Sequence, residues 1–246
     1  MADEKLCATR RSLLAGVALV AGASAWPAGG KSEPAMKHVV LLGDSIFDNE
    51  AYVGDGPGVI AQLAKTLPAG WTATLNAVDG STTVTMQEQL GRLPKGATHL
   101  VVSTGGNDAL GSKQVLEEPA RSVGEALDKL AKIRTAFEKT YRGLLDAVLA
   151  KKLPTVVCTI YDPRYDNQDE QRVASAGLTI FNDTITREVF ARGLPLIDLR
   201  LLFDDARDYA NPIEPSVQGG AKLARVITKI VTTHDFGMKR SEIYVG

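Results

Sequence analysis

The sequence predicts an α/β fold built on a parallel sheet of five strands. Apolar runs of strand length recur along the chain, stretches of helical period separate them, and Gly, Asp, Asn or Ser directly follow three of the runs. Alternation of this kind is the pattern of crossover units, in which a helix joins each strand to the next parallel one.

The first strand is read at Val39 to Leu42. Val59 to Leu67 has helical period, with Pro57 tolerated in its first turn. Trp71 to Val78 alternates as a second strand, Val84 to Leu93 suits a short helix, and Leu100 to Ser103 is a short, fully buried strand. Leu127, Leu130, Ile133, Phe137, Tyr141, Leu144 and Val148 recur every three or four residues, which predicts a long amphipathic helix covering one sheet face. Thr155 to Ile160 is a fourth strand, and a polar loop near Asp162 to Gln171 leads into a helix ending at about Arg192. Pro195 to Leu199 is the fifth strand, and a last helix runs from about Val217 to Val231. No repeat, low-complexity tract or linker divides residues 26–246, which are read as a single domain.

The composition is that of a globular protein with one sizeable core: 44% of the 246 residues are hydrophobic, 23% are charged, and the net charge is -1. Near-neutral charge with no Lys/Arg block argues against nucleic-acid binding by phosphate neutralisation, so the expected partner is a small molecule. Residues 1–25 read as an export signal. Arg10 and Arg11 precede an apolar run that closes on Ala23, Ser24 and Ala25, a small-residue cleavage site. The arginine pair resembles the bacterial twin-arginine type. The run is shorter than the roughly 20 apolar residues that span a bilayer. Cleavage after Ala25, a periplasmic or secreted product and no stable membrane insertion are therefore expected. Cys7 would leave with the signal, and Cys158, inside an apolar run, is read as a small buried hydrophobe.

In open parallel sheets ligands bind beyond the carboxyl ends of the strands. Three stretches stand there: Gly43-Asp44-Ser45, Asp79-Gly80-Ser81 and Gly105-Gly106-Asn107-Asp108. Each alone is ordinary turn composition. Together they supply a nucleophile, a backbone N–H and a side-chain amide, the parts that attack a carbonyl and hold the resulting oxyanion.

With these blocks the chain resembles the SGNH, or GDSL, hydrolase family of esterases and lipases across essentially the whole mature chain. The resemblance implies a flavodoxin-like three-layer α/β/α sandwich. It implies that Ser45, in Leu41-Leu42-Gly43-Asp44-Ser45, attacks the ester, and that Gly80 and Asn107 serve the oxyanion hole together with the Ser45 N–H. It implies no cofactor and no metal. Asp44 is expected to cap the following turn or to orient the loop beside the substrate.

The last block of the family holds an aspartate, two residues, then a histidine, followed by Pro and a Gly that opens the final helix. In this chain Asn211 occupies the aspartate position and Glu214 the histidine position, with the register fixed by Pro215 and Gly219. His38 and His99 precede strands, at the opposite end of the sheet, and His234 follows the last helix, some 20 Å from its start. Two readings of Glu214 follow. Either it is the general base of a Ser-Glu dyad, its pKa raised above the usual value of about 4.3 by burial among Pro212, Ile213 and Pro215, with Asn211 as a neutral hydrogen-bond partner; or the site binds an acyl or glycosyl group without turning it over. The dyad is the favoured expectation, and transfer to an alcohol or sugar acceptor is the competing chemistry.

The remaining signals are weaker. Gly54-Asp55-Gly56-Pro57-Gly58 lacks phosphate-loop spacing and is read as a loop beside Ser45. Asp162, Asp166, Asp169 and Glu170 lack the spacing of a calcium loop, and Asp204, Asp205 and Asp208 read as solvated acids. The loops expected to form the acyl pocket are Phe47 to Gly58 and Asp162 to Gln171.

Overall fold

The structure, a computed structural model, describes residues 36–246; the export signal expected at residues 1–25 lies outside the described residues. The elements in chain order are β1 (Lys37–Gly43), α1 (Val59–Thr66), β2 (Trp71–Leu75), α2 (Met86–Gly91), β3 (His99–Ser103), α3 (Gly106–Gly111), α4 (Val123–Leu149), β4 (Thr155–Cys158) and α5 (Gln168–Ala191). They continue with β5 (Leu196–Ile197), α6 (Leu199–Leu202), β6 (Tyr209–Asn211), β7 (Glu214–Pro215), α7 (Val217–Thr233) and β8 (Ile243–Tyr244). One sheet runs in the order β2-β1-β3-β4-β5-β8, every pair parallel, with helices on both faces. The fold is the α/β arrangement expected from sequence.

Among the described residues the sheet has six strands rather than five. The sixth, β8, is two residues long and carries no periodic signal; it is tied to β5 by bonds from the Leu196 N–H to the Glu242 carbonyl (2.8 Å) and from the Asp198 N–H to the Tyr244 carbonyl (2.9 Å). A two-stranded antiparallel hairpin, β6–β7, stands apart from the main sheet.

The period of two in the strands sorts the core into two layers. Val39, Leu41, Val101, Val156 and Ile197 face one side, where α7 lays down Leu223, Ile227 and Ile230. Val40, Leu42, Leu100, Val102 and Val157 face the other, under Phe137, Tyr141 and Leu144 of α4 and Ile185 and Val189 of α5. Because both faces are covered, the strands read as continuous apolar runs. Cys158 is fully buried in β4.

Ser122 caps α4, accepting a bond from the Glu125 N–H (3.1 Å). Ser216 caps α7 in the same way, with bonds from the N–H groups of Gln218 (3.1 Å) and Gly219 (3.2 Å). Gly219 must be glycine for a steric reason: a Cβ there would lie 2.3 Å from the Asp208 carbonyl oxygen. Among the described residues no helix is long and apolar enough to cross a membrane.

Candidate active site

The chain leaves β1 to one side to form β2, then returns to form β3 on the other side of β1, so strand order reverses between β1 and β3. A crevice opens at such a reversal because the connections diverge to opposite faces. Register places Gly43 opposite Ser103, which brings Ser45 and Asn107, each just past its strand, to the same edge. Gly43 has φ +149°, and a Cβ on it would sit 1.9 Å from the Ser103 carbonyl oxygen, so only glycine lets the nucleophile turn lie this close to β3.

The turn is held by a residue that sequence reasoning passed over. Gln89, in α2, accepts from the Gly43 N–H (2.8 Å) and donates to the Gly43 carbonyl (2.7 Å) and to Ser81 Oγ (3.1 Å). It fixes the Ser45 turn and the Gly80–Ser81 loop to one support. Asn107 Nδ2 donates to the Ser81 carbonyl (3.0 Å), and Asp108 accepts from the Thr83 N–H (3.0 Å) and Thr83 Oγ1 (2.7 Å), so the loop after β3 is laced to the same segment. Among the described residues no protein group accepts from the N–H of Ser45 or of Gly80. Gly80 itself is exposed and does not line the cavity.

Glu214 arrives on the β6–β7 hairpin, and three long-range contacts seat it. Asn49 Nδ2 donates to the Pro215 carbonyl (3.1 Å) while its Oδ1 accepts from the Val59 N–H (2.8 Å). Tyr161 donates its hydroxyl to the Ile213 carbonyl, and the Arg164 N–H donates to the Pro212 carbonyl (2.8 Å). Glu214 is 6% exposed, and its Oε2 has no hydrogen-bond partner. Burial pushes its pKa up to about 7, the neighbouring Ser45 hydroxyl pulls it down, and the Asp79 charge raises it further. Ser45 is close enough to act on the carboxylate in this way, although no hydrogen bond of ordinary geometry joins the two side chains. Asn49 acts through this hairpin. Asn49→Ala is expected to lower kcat about 10–100-fold while KM moves much less, read from steady-state kinetics, because a shift of about 1 Å at a reacting group costs that much.

Asp44 lies beside them, 7% exposed, with Oδ1 accepting from the Ile46 N–H (3.3 Å), the turn cap expected of it. Burial raises its pKa to about 7, opposed by the Ile46 N–H and reinforced by the Glu214, Asp108 and Asp79 charges. Two carboxyl groups with pKa values near neutrality thus flank one serine, a setting typical of functional sites.

Three expectations are corrected. The Asn211 side chain does not hydrogen-bond the Glu214 carboxylate: its Oδ1 accepts from the Ile213 N–H (3.0 Å) within the hairpin turn, it is exposed, and it does not line the cavity. Asp208 is not solvated but fully buried, paired with Lys222 Nζ (2.6 Å) and Gln218 Nε2 (2.9 Å), where it fastens the hairpin to α7. The cavity beside Ser45 is not built by Phe47 to Gly58, of which no residue lines it. Its volume is about 490 Å³, and Asp44, Ser45, Asn107 and Glu214 line it together with α3, the turn at Lys113–Glu117, α4, α5 and part of the loop after β4.

None of the three histidines lines this cavity. His38 bonds Thr74 Oγ1 (2.7 Å), and His234 meets Glu242 (3.0 Å) and Tyr244 (3.1 Å). His99 packs between Trp71 and Phe236, where burial, then the Lys37 charge, pulls its pKa down to about 4.

A domain of this topology gathers a serine turn, an asparagine amide and a buried carboxylate around one cavity at the switch point. The profile of the GDSL-like Lipase/Acylhydrolase family matches residues 41–221, and the chain belongs to that family. Among solved structures it is similar to an extracellular lipase from Streptomyces rimosus, at 18% identity and TM-score 0.57 over 81% of this chain and 100% of that one. It is similar to a phospholipase A1 from Streptomyces albidoflavus NA297, at 17% identity and TM-score 0.54 over 82% and 100% of the two chains. A variant of an acetyl xylan esterase from Geobacillus stearothermophilus matches at 17% identity and TM-score 0.56 over 79% and 94%. At such identities the likeness is one of fold. No curated protein matches the chain.

Proposed function

We propose that the protein is a serine ester hydrolase in which Glu214 replaces the histidine of the usual triad. Ser45 Oγ attacks the ester carbonyl carbon and its proton passes to Glu214. The tetrahedral oxyanion is held by the Ser45 and Gly80 N–H groups and by Asn107 Nδ2. Collapse breaks the bond to the alcohol, which leaves with the proton from Glu214, and an acyl-serine remains. Water then attacks the acyl carbon, gives its proton to Glu214, and collapse returns that proton to Ser45 Oγ. No cofactor or metal takes part in this sequence, and the substrate is a small-molecule ester met outside the cytoplasm, after export directed by residues 1–25.

The observation that carries the reading is the state of Glu214: a buried carboxylate with one unpartnered oxygen, beside the serine hydroxyl, whose pKa is raised to about 7. A carboxylate of ordinary pKa is a poor base at neutral pH, whereas a value matched to the operating pH favours proton transfer. Glu214 must be ionised to accept the proton. Hydrolysis of p-nitrophenyl acetate is therefore expected to rise with pH, with its acid limb centred near 7 rather than near 4.5. Asp44→Asn removes a repelling charge and should move that limb to lower pH. A fluorophosphonate should label Ser45 and abolish turnover. Saturable ester binding with neither product release nor labelling would instead mark a binding protein.

A further inference from the structure

Helix α4 has 27 residues and α5 has 24, lengths of roughly 40 and 36 Å, whereas β4 between them has four, roughly 13 Å. The helices overshoot the sheet. On α4 every buried residue lies at Phe137 or later, and on α5 at Phe181 or later. The first half of each helix therefore rises past the carboxyl edge of the strands without a sheet beneath it, and the cavity beside Ser45 fills the wedge between them.

The chemistry of the wedge is one-sided. Every α4 and α5 residue lining it is apolar except Asp169 and Glu170, in the first turn of α5 at the mouth. Leu130 and Ile133 form one wall, Gly177, Leu178 and Phe181 the other. Phe181 closes the floor, backed by Phe137, which meets it edge to face at 4.8 Å and lies against Gly105, two residues before Asn107. The apolar stripe of α4 does not stop at the cavity. It continues outward through Leu127 and Val123, which are 59% and 78% exposed, so apolar surface runs on from the cavity wall into solvent.

We propose that this cleft is the acyl site, and that it takes the unbranched alkyl chain of a medium-length ester, about eight to ten carbons, with the carbonyl at Ser45. The length follows from α5. Phe181 at the floor and Val173 at the open end are eight residues apart, about 12 Å of helix rise, and an extended alkyl chain with C–C bonds of about 1.5 Å advances about 1.25 Å per carbon. A polar or sugar-like acyl group laid against the α4 and α5 walls would leave its hydroxyls without partners there, because Ser112, Lys113 and Glu117 belong to the α3 side of the cavity. Gly177 sets the width: a Cβ there meets no atom within 4 Å, so its missing side chain is open cleft. The inference rests on the ester-hydrolase reading and adds the class of acyl group to it.

The test is a series of p-nitrophenyl esters from acetate to palmitate with the full mature chain. kcat/KM is expected to rise about two- to fourfold per methylene up to octanoate or decanoate, since each buried methylene contributes in that range, and then to stop rising. Gly177→Phe and, from the opposite wall, Leu130→Trp should each lower the octanoate-to-acetate ratio at least tenfold. A flat wild-type profile, or a ratio unaltered in both variants, overturns the acyl site while leaving the hydrolase intact. If even acetate is not hydrolysed, the hydrolase reading fails by itself. Calorimetry of Ser45→Ala with methyl octanoate then decides the cleft: saturable binding weakened tenfold by Gly177→Phe supports it, and no binding overturns it.

Discussion

Glu214→Gln is expected to lower kcat on p-nitrophenyl esters by about 10²–10⁴-fold, the range that a general base contributes, with little change in KM. The substitution keeps the size of the side chain and its place in the hairpin, where Asn49 and Tyr161 hold the backbone on either side rather than the carboxylate itself. What it removes is the ability to take the Ser45 proton. Glu214→Asp keeps the charge but retracts it by one methylene, so an intermediate loss is expected. Ser45→Ala should lose more than either, because the covalent route disappears. Steady-state kinetics above pH 8, where the raised pKa leaves the wild-type carboxylate ionised, compares these variants free of titration effects. If Glu214→Gln turns over as fast as wild type, the proton goes elsewhere and the dyad is wrong.

The same substitution should make the fold more stable. Glu214 and Asp44 both have folded-state pKa values raised to about 7, from 4.5 and 3.8, chiefly by burial. A group with a raised folded pKa binds its proton more tightly in the native state. Its contribution to stability is therefore fully present below the unfolded pKa, near pH 4, and is lost as pH rises through about 7. Above that window each buried charge remains as a cost. Glu214→Gln and Asp44→Asn are expected to gain roughly 1–3 kcal/mol each over wild type at pH 8.5, and almost nothing at pH 4, by denaturant unfolding. The two sites lie close enough to repel each other, so the double variant should gain less than the sum. Wild-type stability is the reference at each pH, so other acids with lowered pKa values, such as Asp205 beside Arg207, cancel from the comparison. Stability lost on neutralising Glu214 at high pH would show that its charge is paired, contrary to its unpartnered Oε2. A site that costs stability and supplies rate is the usual trade between the two.

The legible part of the site was the pair of blocks that follow β1 and β3, whereas Gly80, beyond β2, is exposed and lies off the cavity. Each is local: a strand ends, a glycine turns, and the next side chain is presented at the edge, so Ser45 and Asn107 fall together once β1 and β3 pair. Its supports were illegible. Gln89 grips Gly43 from 46 residues away, and Asn49 holds the Pro215 carbonyl from 166. Neither leaves a periodic trace, because a single polar residue in a short helix or loop looks the same whether it faces water or a buried peptide group. Asn211 failed in the opposite sense. Three positions from Glu214, it could be imagined reaching it, but a hairpin turn offered the nearer N–H of Ile213.

By itself, the sequence determined the alternation of strands and helices, the order in which the blocks reach the edge, and the presence of a carboxylate in the frame before the last helix. Hydrophobic period and turn chemistry are properties of neighbours along the chain, and they survive in one dimension. Only the tertiary structure decided that Glu214 is buried with one oxygen unpartnered, that Asp208 is buried with Lys222, and that the cleft belongs to α4 and α5 rather than to Phe47 to Gly58. Burial and cavity shape depend on which distant segments pack together, and on how far two helices outrun the short strand between them. Lengths are readable separately, but the empty wedge exists only when they are set side by side.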